Sequence, residues 1–335
     1  MAARILYVSK GEDSASTRYR ALQFFPLLQG AGFEPRHATG SGGVRAFLRM
    51  LREARRADVV VLLRKTYAAP LLWLLRKAAR RLVFDFDDAI FCNSDGSPSP
   101  TRMRRFARTL MRCDHVFAGN SFLAEKARAF NTAVSVVPTC LKPEKYDVAA
   151  VKPRDTVDLV WIGSKSTRKY LVDAMPALGL AAQRVPNLRL KIIADFDLPE
   201  APLPTLPVRW HSDTEAAELV SSHIGIAPMR DDDWSRGKCA LKVLQYMAAS
   251  LPVVSSNVGV NADAVAHGET GYLAETDEEW AQAIERLAKD EALRMRMGAA
   301  GRVRVNGYAL ESVFARMQPV LAELADRVSE NNHAS

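Results

Sequence analysis

The sequence contains few cysteines, and none of them is placed to bind a metal or form a redox pair. Only four of the 335 residues are cysteine. Cys92, Cys113, Cys140 and Cys239 are too far apart for a CxxC motif. We therefore expect reduced thiols packed in the interior, and neither disulfides nor a zinc site.

Long hydrophobic runs are missing as well. No apolar stretch reaches the roughly 18–20 residues that a membrane-spanning helix needs, and the first residues, MAARILYVSK, turn polar too early for a signal peptide. A cytoplasmic protein is the expectation. Because 48% of the residues are hydrophobic, disorder is excluded, and the length favours two domains of roughly 100–200 residues each.

Negative charge is scarce in the first half of the chain. Residues 1–150 contain 25 Lys and Arg against 13 Asp and Glu, a net charge of +12, whereas residues 151–335 contain 21 against 25, a net charge of −4. This asymmetry indicates an acidic partner for the first half: an anionic membrane surface, an acidic or phosphorylated acceptor, or nucleic acid. Nucleic acid is the least favoured of these, because no RNA-binding signature accompanies the charge.

One segment concentrates this positive charge. Between Thr101 and Arg112, four arginines recur at helical spacing opposite an apolar face, which is typical of a basic amphipathic helix on an anionic bilayer. The arginines are Arg104, Arg105, Arg108 and Arg112, and the apolar residues are Met103, Phe106, Ala107 and Leu110. A merely solvated basic face is the alternative.

Short apolar runs alternate with helix-length segments along the whole chain, which predicts parallel sheets covered on both faces. The predicted strands of the first half are Ile5–Val8, Phe33–His37, Val59–Leu63, Leu82–Phe86, His115–Ala118 and Val134–Val137. Those of the second half are Leu159–Ile162, Leu188–Ala194, Val208–Trp210, Ile224–Pro228, Val253–Ser255 and Gly271–Ala274. The fold class is therefore α/β, with two doubly wound, Rossmann-like domains facing an interdomain cleft.

The domain boundaries follow from the same pattern. We assign residues 1–150 to an N-terminal Rossmann-like domain and 151–308 to a C-terminal Rossmann-like domain. Helices are predicted from about Glu278 to Asp290 and from about Leu310 to Val328. The second of these, within residues 309–335, is long enough to cross back to the first domain.

Ligands of such sheets bind at the carboxyl ends of the strands, where helix N-termini attract anions. After the strand ending at Ile162 comes a loop with a glycine for close backbone approach, three hydroxyls and several cations, which suits a diphosphate. Its candidate donor-binding residues are Gly163, Ser164, Ser166, Thr167 and Lys169. An N-capped helix with incidental surface cations is the alternative.

A second strand end leads into a candidate cationic helix. Lys238, Lys242 and Gln245 fall at i, i+4 and i+7, so one helical face would present two cations and an amide to an anion and a polyol. Arg236, Gly237 and Cys239 belong to the same candidate donor site. Asp231–Asp233 is interpreted as a solvated turn, because three neighbouring loop carboxylates point in different directions.

Carboxylates mark a third strand end. Asp85, Asp87 and Asp88 terminate the strand Leu82–Phe86, and Asp87 or Asp88 is a candidate to hold or deprotonate an acceptor hydroxyl. The alternative is a helix cap with one carboxylate paired to an arginine. Arg18 and Arg20, which follow the first strand, are further candidates for acceptor contacts.

Taken together, these segments resemble the glycosyltransferase group 1 enzymes, glycosyltransferase family 4, of GT-B architecture, over essentially the whole chain. The segments that carry the resemblance are Ser16–Arg20, Asp85–Phe91, Asn120–Ser121 with Val136–Pro138, Trp161–Ser164, Gly237–Val254, Val258–Asn261 and Gly268–Leu273. The resemblance implies a nucleotide-sugar donor held by the C-terminal domain, an acceptor held by the N-terminal domain, retention of anomeric configuration and no required metal or other cofactor.

The sequence departs from the family pattern at two positions. The family commonly carries two glutamates seven residues apart, near the donor sugar and the ribose, and here these positions are Gly237 and Gln245. Gln245 retains hydrogen-bonding capacity toward ribose hydroxyls. The usual contact to the donor sugar is absent, and Ser164 replaces an arginine that often follows the glycine.

The functional hypothesis is sugar transfer from a UDP- or GDP-sugar to a glycan or lipid-linked saccharide in cell-surface polysaccharide or glycoconjugate synthesis. Lys238 and Lys242 would stabilise the leaving phosphate, and Asp87 or Asp88 would act on the acceptor. A cytoplasmic enzyme, peripherally bound to an anionic membrane and without a nucleic-acid partner, is expected. The alternatives are a non-catalytic nucleotide-sugar-binding or scaffold protein and a nucleotide-sugar epimerase.

Overall fold

Residues 2–333 are described by a computed structural model, in which the chain forms two compact units. The first unit contains residues 2–140, the segment Asp232–Cys239 and residues 310–333. The second contains Leu141–Asp231 and Ala240–Ala309. The first division thus falls ten residues before the predicted one at residue 150, and a short segment of the predicted C-terminal domain belongs to the first unit.

Twelve strands form two parallel sheets of six. In chain order the strands are β1 (Ala3–Ser9), β2 (Phe33–Thr39), β3 (Val59–Leu63), β4 (Arg81–Phe86), β5 (His115–Ala118), β6 (Val134–Val136), β7 (Val157–Ile162), β8 (Leu188–Ala194), β9 (Thr205–Arg209), β10 (Ile224–Ala227), β11 (Val253–Ser256) and β12 (Gly271–Ala274). The sheet orders are β2-β1-β3-β4-β5-β6 and β12-β11-β10-β7-β8-β9. The predicted α/β class with two doubly wound domains is confirmed; the cleft stays a prediction.

The helices fill the crossover connections. They are α1 (Ala15–Arg20), α2 (Phe25–Gly30), α3 (Gly43–Arg56), α4 (Ala69–Ala78), α5 (Pro100–Leu110), α6 (Ser121–Arg128), α7 (Arg168–Asp173), α8 (Met175–Arg184), α9 (Glu215–Val220), α10 (Asp233–Arg236), α11 (Leu241–Ala248), α12 (Gly259–Ala264), α13 (Asp277–Lys289), α14 (Glu291–Arg304) and α15 (Leu310–His333). Short 3₁₀ turns lie at Leu22–Phe24, Pro143–Tyr146, Lys165–Thr167 and Val305–Tyr308. Helix α14 was not anticipated from the sequence.

Each sheet is buried on both faces, which explains its uninterrupted apolar strands. In the first unit, Leu6 and Val8 pack beneath α3 and α4, whereas Ile5 and Tyr7 face α2 and α15. Alternate side chains of β1 therefore pack into two different hydrophobic cores, one on each face of the sheet. Helix α15 belongs to the first unit, in which it packs against β3 and β4.

Helix α5 uses its apolar face inside the protein. Phe106 is completely buried, and its ring centroid lies 5.2 Å from those of Phe86 and Phe91. The arginines of this helix are exposed on its other side. The prediction of an amphipathic helix is therefore confirmed, but its apolar face is part of the core and is not available to a bilayer.

The four cysteines are free and buried, as the sequence predicts. Burial raises the pKa of the Cys92 thiol to about 11 and those of Cys140 and Cys239 to about 12, and it also raises that of Cys113. Within residues 2–333, none of the helices is both long and apolar enough to cross a bilayer.

One buried histidine makes the stability of the second unit depend on pH. The Nδ1 atom of His223 accepts a hydrogen bond from the backbone N–H of Asp158 at 3.0 Å, so this nitrogen must be unprotonated. Burial, Lys152 and Arg294 lower the pKa of His223 to about 4, against the opposing charges of Asp158 and Glu291. The unfolded chain therefore takes up a proton near pH 6.5, before the folded chain does.

We expect the free energy of unfolding to be retained above about pH 6.5 and to fall between about pH 6.5 and about pH 4. His223→Asn places an amide oxygen near the Nδ1 position and removes the titration. Urea unfolding at about pH 7 and about pH 4.5 should show a fall that is about 2–3 kcal/mol smaller in the variant than in the wild type. An equal fall in both proteins would contradict this assignment.

Candidate functional site

A crevice opens in the second sheet between β7 and β10, where the strand order reverses. These strands pair only at Ile224 with Leu159 and at Gly225 with Val160. Beyond that point the Tyr246 hydroxyl connects them, because it accepts from the Ile162 N–H and donates to the Ile226 carbonyl, both at 3.1 Å. Such reversal points are the usual ligand sites of doubly wound sheets.

Glycine is required where Tyr246 enters. A Cβ atom on Gly225 would lie 2.8 Å from the Cβ of Tyr246 and would also meet its ring. The Tyr246 side chain is fully buried, and this burial raises its pKa, so the hydroxyl stays protonated and able to donate. The sequence therefore specifies a polar bridge that holds the carboxyl ends of β7 and β10 apart.

The loop after β7 forms one wall of this crevice. Ser164 caps the turn Lys165–Thr167 in a reciprocal arrangement, in which the Thr167 side chain also accepts from the Ser164 N–H at 3.3 Å. The Ser164 and Ser166 hydroxyls lie 2.9 Å apart. Both predicted features of the loop, the cap and the group of hydroxyls, are therefore present.

Lys242 lies at the mouth of the crevice. Its ammonium is 4.0 Å from the centroid of the Trp161 ring and donates to Thr167 Oγ1 at 3.2 Å. A Cβ atom on Gly163 would come within 2.8 Å of this ammonium and would meet the Trp161 ring. Gly163 thus leaves the space in which Lys242 lies, and the cation–π contact fixes the ammonium there.

Gln245 and Lys169 are two further residues of the predicted donor site. Gln245 is only 4% exposed on α11. Lys169 lies over the ring of its neighbour Tyr170, with 5.0 Å between the ammonium and the ring centroid.

The expectation that Lys238 and Lys242 lie one turn apart on one helix is wrong. Helix α11 begins at Leu241, and the preceding Ala240 has a left-handed backbone with φ of 52°. Helical spacing therefore does not extend back to Lys238. That residue belongs to the first unit, together with the candidates Arg236, Gly237 and Cys239.

The segment Asp232–Cys239 is anchored within the first unit by backbone contacts. The Asn120 side-chain amide donates to the carbonyls of Arg236 and Lys238 at 3.1 and 2.8 Å. The Cys239 thiol donates to the Asp87 carbonyl at 3.4 Å. The segment is held beside the carboxylates that follow β4.

Lys238 is engaged by one of these carboxylates. Its ammonium lies 2.8 Å from Asp88 Oδ1 and 3.9 Å from the centroid of the Trp234 ring. A lysine paired in this way has its charge balanced by the protein itself. The expected neutralisation of a phosphate by two lysines therefore rests on Lys242 alone.

Arg20 and Asp85 form a buried pair in the interior and do not face a ligand. Their side chains are each 1% exposed, and Arg20 Nε lies 2.8 Å from Asp85 Oδ1. Arg20 also donates to the Val137 carbonyl at 2.6 Å. Burial raises the pKa of Asp85 to about 6, although Arg20 opposes this shift. The expectation that Arg20 contacts an acceptor is wrong because the guanidinium is enclosed; Arg18 is exposed at the start of the same region.

Arg64 completes the charged group, and sequence analysis missed it. The residue follows β3 directly and has a left-handed backbone with φ of 53°, which costs roughly 1–2 kcal/mol in a residue other than glycine. Its guanidinium lies 3.2 Å from Asp87 Oδ1 and 2.5 Å from Asp88 Oδ2. A cation directly after the strand next to β4 was the signal that could have revealed it.

The two carboxylates that follow β4 differ in how fully they are satisfied. Asp88 accepts from Arg64, from Lys238 and from the Ala89 N–H at 3.1 Å. Asp87 Oδ1 is buried without an aligned hydrogen-bond partner, although Arg64 is near. Asp87 therefore retains the capacity to accept a hydrogen bond from a ligand, and Asp88 is committed to the protein.

Among the side chains that the structure describes, those of residues 2–328, no three histidine, cysteine, aspartate or glutamate residues form a group that could hold a metal ion. Whether the reaction needs a metal stays a prediction.

The fold of the chain is shared with solved structures of known class. Anabaena HepE, solved in complex with UDP, superposes with a TM-score of 0.70 at 12% identity, over 96% of this chain and 100% of that chain. Two Rossmann-like domains of this kind make the fold GT-B.

Sequence comparison finds a family match over part of the chain. Residues 156–290 match the family model described as Glycosyl transferases group 1, and this match includes the Gly163 loop and Lys242. Residues 156–290, less than half of the chain, are thus similar to this family. Membership of family 4 stays a prediction.

Two curated relatives align over part of their length. The D-inositol 3-phosphate glycosyltransferase of Pseudarthrobacter chlorophenolicus is 31% identical over 120 residues, which are 35% of this chain and 27% of that protein. The capsular polysaccharide biosynthesis glycosyltransferase CapM of Staphylococcus aureus is 33% identical over 78 residues, or 22% of this chain and 20% of that protein. The matched segments thus span about a quarter or less of these relatives.

Proposed function

We propose that this protein transfers a sugar, with retained anomeric configuration, from a UDP- or GDP-sugar to a glycan or lipid-linked saccharide acceptor. The second unit would bind the donor, and the first unit would bind the acceptor in the synthesis of a cell-surface polysaccharide or glycoconjugate. The observation that carries this proposal is the Lys242 ammonium, which is held beside Gly163 at the strand reversal of the second sheet.

The donor diphosphate would lie against the loop after β7. Lys242 places a fixed positive charge where negative charge develops on the leaving phosphate, and such preorganised charge is usually the largest contribution to catalysis. Ser164, Ser166 and Thr167 would offer hydroxyl groups to the same diphosphate. We propose that these groups suffice for charge balance without a metal.

Asp87 is the better candidate to orient or deprotonate the acceptor hydroxyl. Asp87 Oδ1 has no aligned hydrogen-bond partner in the protein, whereas the Asp88 carboxylate accepts hydrogen bonds from both Arg64 and Lys238. The Arg64 guanidinium lies within ion-pair distance of both carboxylates. Asp88 would then act as a positioning residue that fixes Arg64 and Lys238.

A non-catalytic nucleotide-sugar-binding protein is the second candidate, and one observation favours it. Gly237 stands where the family commonly has a glutamate, and a Cβ atom there would lie 2.8 Å from the Ala89 backbone nitrogen. A carboxylate side chain has no room at this position in the structure described. Acceptor-dependent release of nucleoside diphosphate separates the two candidates, because only a transferase produces it.

The first prediction for this function concerns the diphosphate. Lys242→Met should weaken binding of UDP or GDP by at least about tenfold, because one charge-assisted contact is lost, and it should leave uridine or guanosine binding unchanged. Isothermal titration calorimetry measures both. Lys289→Met, on the exposed face of α13, is the matched control and should bind as the wild type does. Equal losses for nucleotide and nucleoside would remove Lys242 from this role.

The second prediction concerns the acceptor. Asp87→Asn should lower acceptor-dependent release of nucleoside diphosphate by about 10²–10⁴ fold, the usual effect of losing a general base, without changing donor affinity. Asp88→Asn should destabilise the fold, because it leaves Lys238 and Arg64 without a full counter-charge. Unchanged turnover in Asp87→Asn, measured with an acceptor that supports transfer by the wild type, is the result that refutes the assignment.

We also propose peripheral attachment of the first unit to an anionic membrane, through the neighbouring helices α3 and α4. Leu71, Trp73 and Leu74 of α4 are exposed, Trp73 by 51%. On α3, Val44 and Leu48 are exposed by 76% and 50%. The exposed cations around them are Arg45, Arg49, Arg52 and Lys77. Exposed apolar groups ringed by cations are typical of surfaces that bind anionic bilayers.

Flotation with vesicles containing phosphatidylglycerol tests this attachment. Replacing Trp73 and Leu74 by serine should lower the partition coefficient by about tenfold, because two apolar side chains are lost from the bilayer. The matched control replaces Val151 and Val303, which are exposed on the second unit, and should bind as the wild type does. Equal binding of all three proteins would exclude this surface.

A further inference from the structure

A second polar cavity lies at the opposite edge of the second sheet from Gly163. It is formed around the amino ends of β7, β10 and β11 and has a volume of about 590 Å³. Lys152, Arg154, His223, Glu291 and Arg294 line it. We call it the amino-edge pocket; it shares none of these residues with the proposed donor site.

The cations of this pocket outnumber the one carboxylate in its lining, Glu291. Among the described residues, no carboxylate forms an ion pair with Lys152, Arg154 or Arg294. Lys152 instead donates to the Ser222 carbonyl at 2.6 Å, and Arg294 donates to the Leu287 and Ala288 carbonyls at 2.7 and 2.8 Å. Carbonyl oxygens hold these groups in place but do not neutralise them.

Burial, together with neighbouring charges, shifts the pKa values of three groups in this pocket. Burial and Arg294 lower the pKa of Lys152 to about 8. The pKa of Arg294 is also lowered, by burial against the opposing charges of Glu291 and Asp290. His223, which is 7% exposed, stays neutral in the same surroundings. An anion in the pocket would relieve these costs.

We propose that the amino-edge pocket binds a phosphate group, either inorganic phosphate or a small phosphomonoester. Three cations around one concavity suit a dianion better than a single carboxylate, because both negative charges are then balanced. The volume exceeds that of phosphate alone and leaves space for an attached group of sugar size. Because the pocket is remote from the β7–β10 crevice along the strands, its occupancy would stabilise the second unit without competing with a nucleotide.

Calorimetric titration of the full chain with inorganic phosphate, at constant ionic strength and about pH 8, tests the proposal. We expect binding accompanied by proton uptake, because the phosphate raises the pKa of Lys152. Proton uptake is measured as the difference in apparent heat between buffers of different ionisation enthalpy. Lys152→Arg should retain phosphate binding but lose most of this uptake, since arginine does not titrate near that pH.

Replacing Lys152 and Arg154 by alanine should weaken phosphate binding by at least about tenfold. The matched control replaces Arg209 and Arg316, two exposed arginines outside the pocket, and should bind as the wild type does. UDP binding measured on the same variants keeps this test separate from the proposed transferase function. Equal phosphate affinity in both double variants, or binding no tighter than that of chloride, overturns the proposal.

A third arm identifies the source of the phosphate. Glycerol 3-phosphate and vesicles containing phosphatidate are compared as probes of the wild type and the pocket variant. Loss of binding to the soluble probe supports a metabolite ligand. Loss confined to the vesicles supports a lipid headgroup as the source of the same phosphate chemistry.

Discussion

The separation of β7 from β10 is the constraint on which the donor region depends. Adjacent parallel strands would ordinarily continue their hydrogen bonds to the end, and a closed sheet edge would leave no crevice. The Tyr246 hydroxyl replaces those bonds, because it accepts a hydrogen bond from the Ile162 N–H and donates one to the Ile226 carbonyl. The backbone groups are thereby satisfied while the strands diverge, so the crevice carries no penalty of unpaired buried polar groups.

The charged groups at the carboxyl edges of the two sheets are organised by different means. In the second unit, an aromatic ring and a hydroxyl hold Lys242. In the first unit, Arg64 and Lys238 share the acidic group, and the left-handed conformation of Arg64 directs its guanidinium to it. A charge that is paired inside the protein, as those of Arg64 and Lys238 are, contributes mainly to structure.

Much of the fold could be predicted because apolar periodicity reports burial directly. The bounds of β3, β5, β8 and β12 agree with the runs Val59–Leu63, His115–Ala118, Leu188–Ala194 and Gly271–Ala274. The capped loop with three hydroxyls after Ile162 could also be predicted, because its residues are contiguous. The position of Lys238 could not, since a single left-handed residue, Ala240, ends the helix that the spacing implied. Arg20 and Arg64 depend on contacts with residues distant in sequence, which periodicity does not encode.

The burial of all four thiols has a practical consequence for studying the protein in solution. Thiol-directed reagents react with the thiolate, which is the nucleophilic form of cysteine. Burial raises the pKa of every native cysteine and thereby disfavours this form. A single cysteine introduced on an exposed helix would thus be modified selectively against an unaltered native background. Fluorophores or spin labels can therefore be attached at chosen exposed positions of either unit.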